Sequence, residues 1–329
     1  MPYHLAKGQY HKHYIIFFTK FLHYYIIFMV ILMNQYKKCN LCPRNCNINR
    51  YEKLGFCKAS NKTKIAYYNF FFYEEPVISG KHGSGTIFFS NCNLKCIFCQ
   101  NYDISTKNIG KNITITKLKD IMLELQNKNA KNINLVTPTI YVPSIIKAIK
   151  KAKKENLNIP IIYNTSAYEN IETIQSLNGL IDVYLPDLKY YDDELAIKYS
   201  NAKNYFKYAT KAINEMYNQT GPCRFKNGYI TKGVIVRHLM LPGHIEDSKK
   251  IIKYLYDTYK NNIYISIMNQ YTPLRKLPYE NLNKKVKNDE YEKLIEYAYN
   301  LGIRNCFVQD KNTQNDSFIP DFNNFYLNI

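Results

Sequence analysis

The chain has 329 residues, 46% of them hydrophobic, and 45 Lys and Arg against 26 Asp and Glu, for a formal net charge of +19. That length and apolar content exclude a disordered tail and a small disulfide-stapled module, and predict a sizeable core in one large domain or two modest ones. No compact Lys/Arg run interleaves with aromatics, so the charge reads as a diffuse solvated surface: no nucleic-acid partner is expected, while an acidic protein partner is compatible.

In chain order the first feature is the apolar run "YIIFFTKFLHYYIIFMVILM" at 14–33, of membrane-spanning length but interrupted by Lys20 and His23. It reads as translated upstream sequence ahead of a second start at Met33, as an amino-terminal anchor, or as a signal segment. The leader is therefore set apart as 1–33. From 34 to 80 the chain carries "CNLCPRNC" and the Cys57 of "GFC" and lacks a strand–helix rhythm, which predicts a small cysteine-bearing module. Four sulfurs at Cys39, Cys42, Cys46 and Cys57 suit a closed zinc site or a second cluster, with a structural or electron-relay role.

From 81 to 310 the pattern changes. Strand-like runs fall at 86–91, 133–137, 160–165, 182–188, 233–239, 263–268 and 303–308, and amphipathic helical stretches at 116–128, 143–156, 169–178, 201–218, 246–259 and 288–300. Alternation of this kind predicts an α/β fold of parallel strands covered by helices. The lack of an early Gly-rich dinucleotide turn shifts the expectation from a doubly wound sheet to an open or partial (β/α) barrel. Residues 311–329 remain as a carboxyl-terminal tail.

Nine cysteines, seven of them within 39–99, in a large lysine-rich chain read as metal or redox sites in a reducing cytoplasm rather than as disulfides. "NCNLKCIFCQN" at 91–101 places Cys92, Cys96 and Cys99 directly after the strand at 86–91, on the loop at a strand's carboxyl end where barrel chemistry sits. An iron–sulfur cube takes four thiolates, so three leave one iron open or require a distant fourth cysteine. The bland reading is a structural zinc site completed by Cys57 or another cysteine. His82, His238 and His244 have no metal spacing, and Cys223 and Cys306 are expected to be buried and unpartnered.

This three-cysteine spacing with an aromatic at Phe98 resembles the radical S-adenosylmethionine (SAM) superfamily. "EEPVISGKHGSGTIFFSNCNLKCIFCQN" (74–101), "NLVTPTIYVP" (134–143), "YNTSAYE" (163–169), "YLPDLKY" (184–190), "IVRHLMLPG" (235–243) and "SIMNQYTP" (266–273) resemble its branch of uncharacterised, pyruvate formate-lyase activating enzyme-like iron–sulfur proteins. The resemblance implies a partial (β/α) barrel in which Cys92, Cys96 and Cys99 ligate a [4Fe–4S] cluster, SAM chelates the fourth iron, and reductive cleavage yields a 5′-deoxyadenosyl radical. It implies that Phe98 lies near the adenine and that Asn164, Thr165 and Asp187 belong to a cofactor or cation shell.

By the same resemblance, Arg237 or His238 reaches the ribose or carboxylate of SAM. Strand alternation allows only one of them to face inward, and Arg237 is favoured. Where many radical enzymes carry Gly-Gly-Glu-Pro, this chain has "VTPT": Thr137 and Thr139 offer hydroxyl and carbonyl oxygens but no carboxylate. The expected activity is radical SAM chemistry that activates a separate glycyl radical enzyme. The partners are then that enzyme and a flavodoxin- or ferredoxin-type reductant. The alternatives are radical modification of a small molecule or peptide, or a non-catalytic iron–sulfur or zinc binding module. For Asp187 the plainer reading is a helix cap or surface pair.

Overall fold

A computed structural model describes residues 35–310 and Thr313. The leader at 1–33 and nearly all of the tail at 311–329 lie outside the described residues. Among the described residues no helix is long and apolar enough to cross a membrane.

Ten strands form one sheet: β1 (Thr63–Phe71), β2 (Ser84–Phe89), β3 (Lys111–Ile113), β4 (Ile133–Val136), β5 (Ile161–Thr165), β6 (Val183–Pro186), β7 (Arg224–Lys226), β8 (Tyr229–Leu239), β9 (Tyr264–Met268) and β10 (Cys306–Val308). Their order is β10-β9-β8-β6-β5-β4-β2-β1-β3, with β7 paired to β8. Every pairing from β2 through to β10 along that path is parallel, while β1 joins β2 and β3 antiparallel. β3 and β10 are the two ends of the path, so the sheet stays open as a partial barrel.

The helices are α1 (Pro76–Ser79), α2 (Tyr102–Thr106), α3 (Ile115–Asn127), α4 (Val142–Lys154), α5 (Ile171–Gln175), α6 (Asp193–Ser200), α7 (Tyr205–Thr220), α8 (Ile245–Tyr259) and α9 (Asn288–Leu301). Parallel strands are covered on both faces and so read as continuous apolar runs; β2, β4 and β6 are buried throughout. α4 shows how the helices close that core. Its Ile145, Ile149 and Ala152 are buried on one stripe while Lys151, Lys153 and Lys154 gather at its carboxyl end, where cations suit the helix dipole. α3 begins at Thr114, whose side chain accepts the Lys117 amide.

β1 falls inside the stretch from 34 to 80. Its residues pair with β2 from Ile65 opposite Phe89 to Phe71 opposite Ser84. The residues before it are tied to the barrel by buried Arg50, whose guanidinium donates to the Ile140 carbonyl at 2.6 Å, and by the Thr173 hydroxyl, which donates to the Leu41 carbonyl at 2.8 Å. Cys223 and Cys306 are half-buried rather than buried, because each sits towards the rim of the sheet; the Cys223 thiol donates to the Val234 carbonyl at 3.3 Å.

Candidate active site

The carboxyl ends of β2, β4, β5, β6, β8 and β9 surround a cavity of about 320 Å³. Cys92, Cys96 and Cys99 line it from the loop that follows β2, together with Phe98. Thr137 enters from the end of β4, Asn164 and Thr165 from β5, Asp187 from the end of β6 and Arg237 from β8. The cavity therefore brings together nine of the residues singled out in the sequence, which lie up to 145 positions apart (237 − 92), whereas Thr139 does not line it and bonds Glu169 instead.

The cysteine loop is held from several sides. Asn91 donates its amide to the Ile104 carbonyl (2.7 Å), Lys95 to Ser200 (3.1 Å) and Ile97 to Tyr199 (2.9 Å). Arg275 donates to the Ile97 carbonyl at 2.5 Å and the Gln100 side chain to Gln270 at 3.1 Å. Each sulfur also meets a donor: the Leu94 amide at 3.4 Å for Cys92, the Ser200 hydroxyl at 2.9 Å for Cys96 and the Ser105 hydroxyl at 3.4 Å for Cys99. Such donors stabilise negative sulfur.

Burial pushes the Cys92 thiol up to about 12, with neighbouring Cys96 and Cys99 adding to the rise. Burial likewise lifts Cys96 to about 11, against the pull of Lys189. Protein surroundings alone therefore keep these thiols protonated, and a bound cationic centre is what would ionise them. Among the described residues no three Cys, His, Asp or Glu side chains are gathered tightly enough to hold a single ion. Three sulfurs around a roomy cavity would suit a body larger than one ion, such as an iron–sulfur cluster.

Around the sulfurs the charges are ordered. Lys189 pairs with Asp187 at 2.6 Å; although burial opposes its charge, Asp187 and the Cys96 sulfur hold its ammonium well above the ordinary value. Arg237 faces the cavity and neighbouring His238 points away from it, as the alternation of a strand requires. His238 is buried between the Leu188 carbonyl and the Ser248 hydroxyl, each at 2.8 Å, and burial lowers it to about 4.

Arg237 binds Glu75 through two nitrogens, Nε to Oε1 at 2.9 Å and Nη2 to Oε2 at 2.6 Å, and Nη2 also meets Glu74. These carboxylates were not foreseen in the sequence as site residues, because the ion triad closes over 162 positions; the quoted "EEP" was its only visible trace. They reach the cavity wall from the loop before α1, whereas the 136–139 run carries no carboxylate. Thr137 adopts φ +60, rare for a β-branched residue, with its amide bound to the Asn164 carbonyl at 2.9 Å. Backbone outliers of this kind cluster at functional sites.

Beneath Thr165 lies buried Glu169. Its Oε1 accepts the hydroxyls of Thr139 and Thr165, both at 2.6 Å, and of Tyr163 at 3.1 Å, while burial raises its carboxyl to about 7. This network fixes the end of β5.

The sequence model of the radical SAM superfamily matches residues 86–268. A protein of Methanocaldococcus jannaschii, described only as uncharacterized, is 33% identical over 290 residues, covering 83% of this chain and 78% of that protein. Among solved structures, Streptococcus suis SuiB bound to S-adenosylmethionine has 15% identity and a TM-score of 0.47, over 68% of this chain and 49% of that one. A domain of pyruvate-formate lyase-activating enzyme from Bacteroides vulgatus has 13% identity and a TM-score of 0.39, over 53% of this chain and 94% of that one. This chain thus spans about half the length of SuiB.

Proposed function

Because the chain belongs to the radical SAM superfamily, whose enzymes use a [4Fe–4S] cluster and SAM and need a reductant, we propose that the cavity at the ends of β2–β9 is where it cleaves SAM reductively. The observation that carries this reading is the placement of Cys92, Cys96 and Cys99 on one clasped loop opening into that cavity. When bound, the cluster and SAM supply a 5′-deoxyadenosyl radical that takes hydrogen from a substrate.

The chain's own residues hold and orient. Cys92, Cys96 and Cys99 hold the cluster, and the donors from Leu94, Ser200 and Ser105 offset their charge. Phe98, 5.9 Å from the Tyr271 ring, offers an aromatic face to adenine. Lys189 and Arg237 favour a carboxylate. Asp187, Glu74 and Glu75, together with the Thr137 and Asn164 oxygens and the Thr165 hydroxyl, favour an amino group and ribose hydroxyls. The apolar walls at Phe88, Phe89, Leu239 and Met268 exclude water from the reacting atoms.

A cavity of about 320 Å³ lies near the lower end for drug-sized ligands, so a cofactor nearly fills it. That favours a substrate that inserts only a narrow segment, and supports the finer reading as a pyruvate formate-lyase activating enzyme-like protein that takes a glycyl hydrogen from a partner chain. A positive surface suits an acidic flavodoxin- or ferredoxin-type donor, and clustered thiols suit the reducing cytoplasm.

The test is anaerobic reconstitution with iron and sulfide, then dithionite and SAM, with an assay for 5′-deoxyadenosine. Wild type should form it and Cys96→Ala should fall to background; equal product from both would sink the cluster assignment. A glycyl radical signal on an added partner enzyme would support the finer reading. Modification of an added peptide without such a signal would replace it.

A further inference from the structure

Of the three donors that meet the cavity's sulfurs, one is unlike the others. The Ser105 hydroxyl stands 3.4 Å from each of the Cys99 sulfur, the Tyr102 carbonyl and the Thr106 hydroxyl, and the Leu94 amide is 3.4 Å from the Cys92 sulfur. The Ser200 hydroxyl comes to 2.9 Å from the Cys96 sulfur and meets a second hydroxyl, that of Tyr190, at 2.6 Å. Neither hydroxyl is offered to water: Tyr190 is 1% exposed and Ser200 is fully buried.

Counting protons fixes the direction of this chain. A serine hydroxyl has one proton to give. With that proton on the Cys96 sulfur, Ser200 can meet Tyr190 only as an acceptor, so Tyr190 donates. A free thiol is able to reverse the order by giving its own proton to Ser200, but a sulfur bound to iron has none and only accepts. Occupation of the cavity therefore sets the order Tyr190 to Ser200 to sulfur. Among the described residues Ser200 is the hydrogen-bond partner shown for the Tyr190 hydroxyl, and a buried hydroxyl is costly to leave unpaired.

Both ends of the chain are held. The Tyr190 ring packs edge-on against Tyr205 with 5.4 Å between centroids, and the Tyr205 hydroxyl sits between the Asp187 and Ser166 carbonyls at 2.8 and 2.9 Å. Ser200 ends α6, and its carbonyl takes the Lys95 amide at 3.1 Å while its hydroxyl gives to Cys96, so one residue grips two neighbours of the cysteine loop. In a buried setting each hydrogen bond of such a chain polarises the next. A stronger donor at the sulfur favours the more negative, reduced state of a centre ligated by that sulfur.

We propose that Tyr190 is a positioning residue for Cys96: by donating to Ser200 it commits the Ser200 proton to the sulfur and raises the reduction potential of the iron–sulfur centre held there. Tyr190 touches neither the sulfur nor the cavity and acts only through Ser200. The reduction itself adds one electron, supplied by a reductant such as dithionite, and moves no proton along the chain. This inference rests on the cluster assignment proposed above.

The experiment uses the full chain, reconstituted anaerobically with iron and sulfide, and follows its reduced EPR signal through a potentiometric titration. Cys96→Ala identifies the signal that belongs to the cavity by abolishing it. Tyr190→Phe keeps the ring against Tyr205 and removes only the hydroxyl. It should take up as much iron as wild type, while its equilibrium constant for one-electron reduction falls two- to threefold, or about 18–28 mV at 59 mV per tenfold. In a Ser200→Ala background the same Tyr190→Phe change should shift the potential no further. An unchanged potential in Tyr190→Phe, or an equal shift with and without Ser200, overturns the inference and leaves the cluster assignment intact. A Tyr190→Phe chain unable to take up iron overturns it too, because the hydroxyl then serves the fold rather than the potential. Wild type without a signal that depends on Cys96 overturns the cluster assignment and this inference with it.

Discussion

Replacing Arg237 by Met tests the ion triad at the cavity wall. The Arg237, Glu74 and Glu75 side chains are 13%, 6% and 5% exposed, so the substitution removes the cation that touches two carboxylates withdrawn from water. Removing one member of a buried pair costs about 3–5 kcal/mol, because the remaining charges are left uncompensated. With a urea slope of about 3 kcal/mol/M for a chain of this size, the unfolding midpoint should drop by about 1–1.7 M near pH 8.

The deficit should depend on pH with a definite sign. In wild type, burial opposes ionisation of Glu75, yet Arg237 holds its carboxyl below the ordinary value. Glu74 is already raised by burial in wild type despite Arg237; without the arginine burial goes unopposed, so Glu74 rises further and Glu75 too moves above the unfolded value of about 4.3. The folded variant then binds more protons than the unfolded chain, so its deficit grows as pH rises from about 5 to 8 and shrinks toward acid. Combining Glu74→Gln and Glu75→Gln with Arg237→Met should restore most of the loss. A deficit under about 1 kcal/mol, flat from pH 5 to 8, would mean that these groups reach water and that the triad is no more than a surface pair.

Three further outcomes are expected. Ser200→Ala removes the hydroxyl at 2.9 Å from the Cys96 sulfur, which stabilises the more negative reduced state; a loss of about 1 kcal/mol lowers the one-electron potential by about 40 mV, and an unchanged potentiometric EPR titration would refute it. Phe98→Ala should weaken SAM binding about tenfold while leaving the iron content unchanged, measured by equilibrium binding to the reconstituted protein; unaltered affinity would place adenine elsewhere. Glu169, raised to about 7 by burial, favours folding most below its unfolded value, and that contribution is lost as pH climbs to about 7, a span worth about 3 kcal/mol. Glu169→Gln should flatten the fall of stability between pH 4.5 and 7, and a slope equal to wild type would show that the carboxyl is not held protonated.

The parallel strands and their helices were legible because period and composition are local: the expected 133–137 and 263–268 runs fall on β4 and β9 almost residue for residue. The cysteine loop was legible for a similar reason, since three cysteines within eight residues form a local spacing that the sequence displays directly. β1 was missed because its alternation sits beside the first cysteine group and its partner is the antiparallel β2, a non-local pairing. α6 escaped notice because eight residues rich in charge show little apolar stripe, although Asp192 caps it as a helix start should be capped. Glu74 and Glu75 look like surface acids until β8 folds Arg237 onto them.

The clasp on the cysteine loop bears on upkeep. Zinc fingers collapse when their metal leaves, because the metal is what folds them. Here Asn91, Lys95 and Ile97 are tied by backbone hydrogen bonds to α2 and to the end of α6, and those ties owe nothing to iron. A chain stripped by oxygen therefore keeps its cradle, and restoring it is a matter of delivery from an iron carrier rather than of refolding.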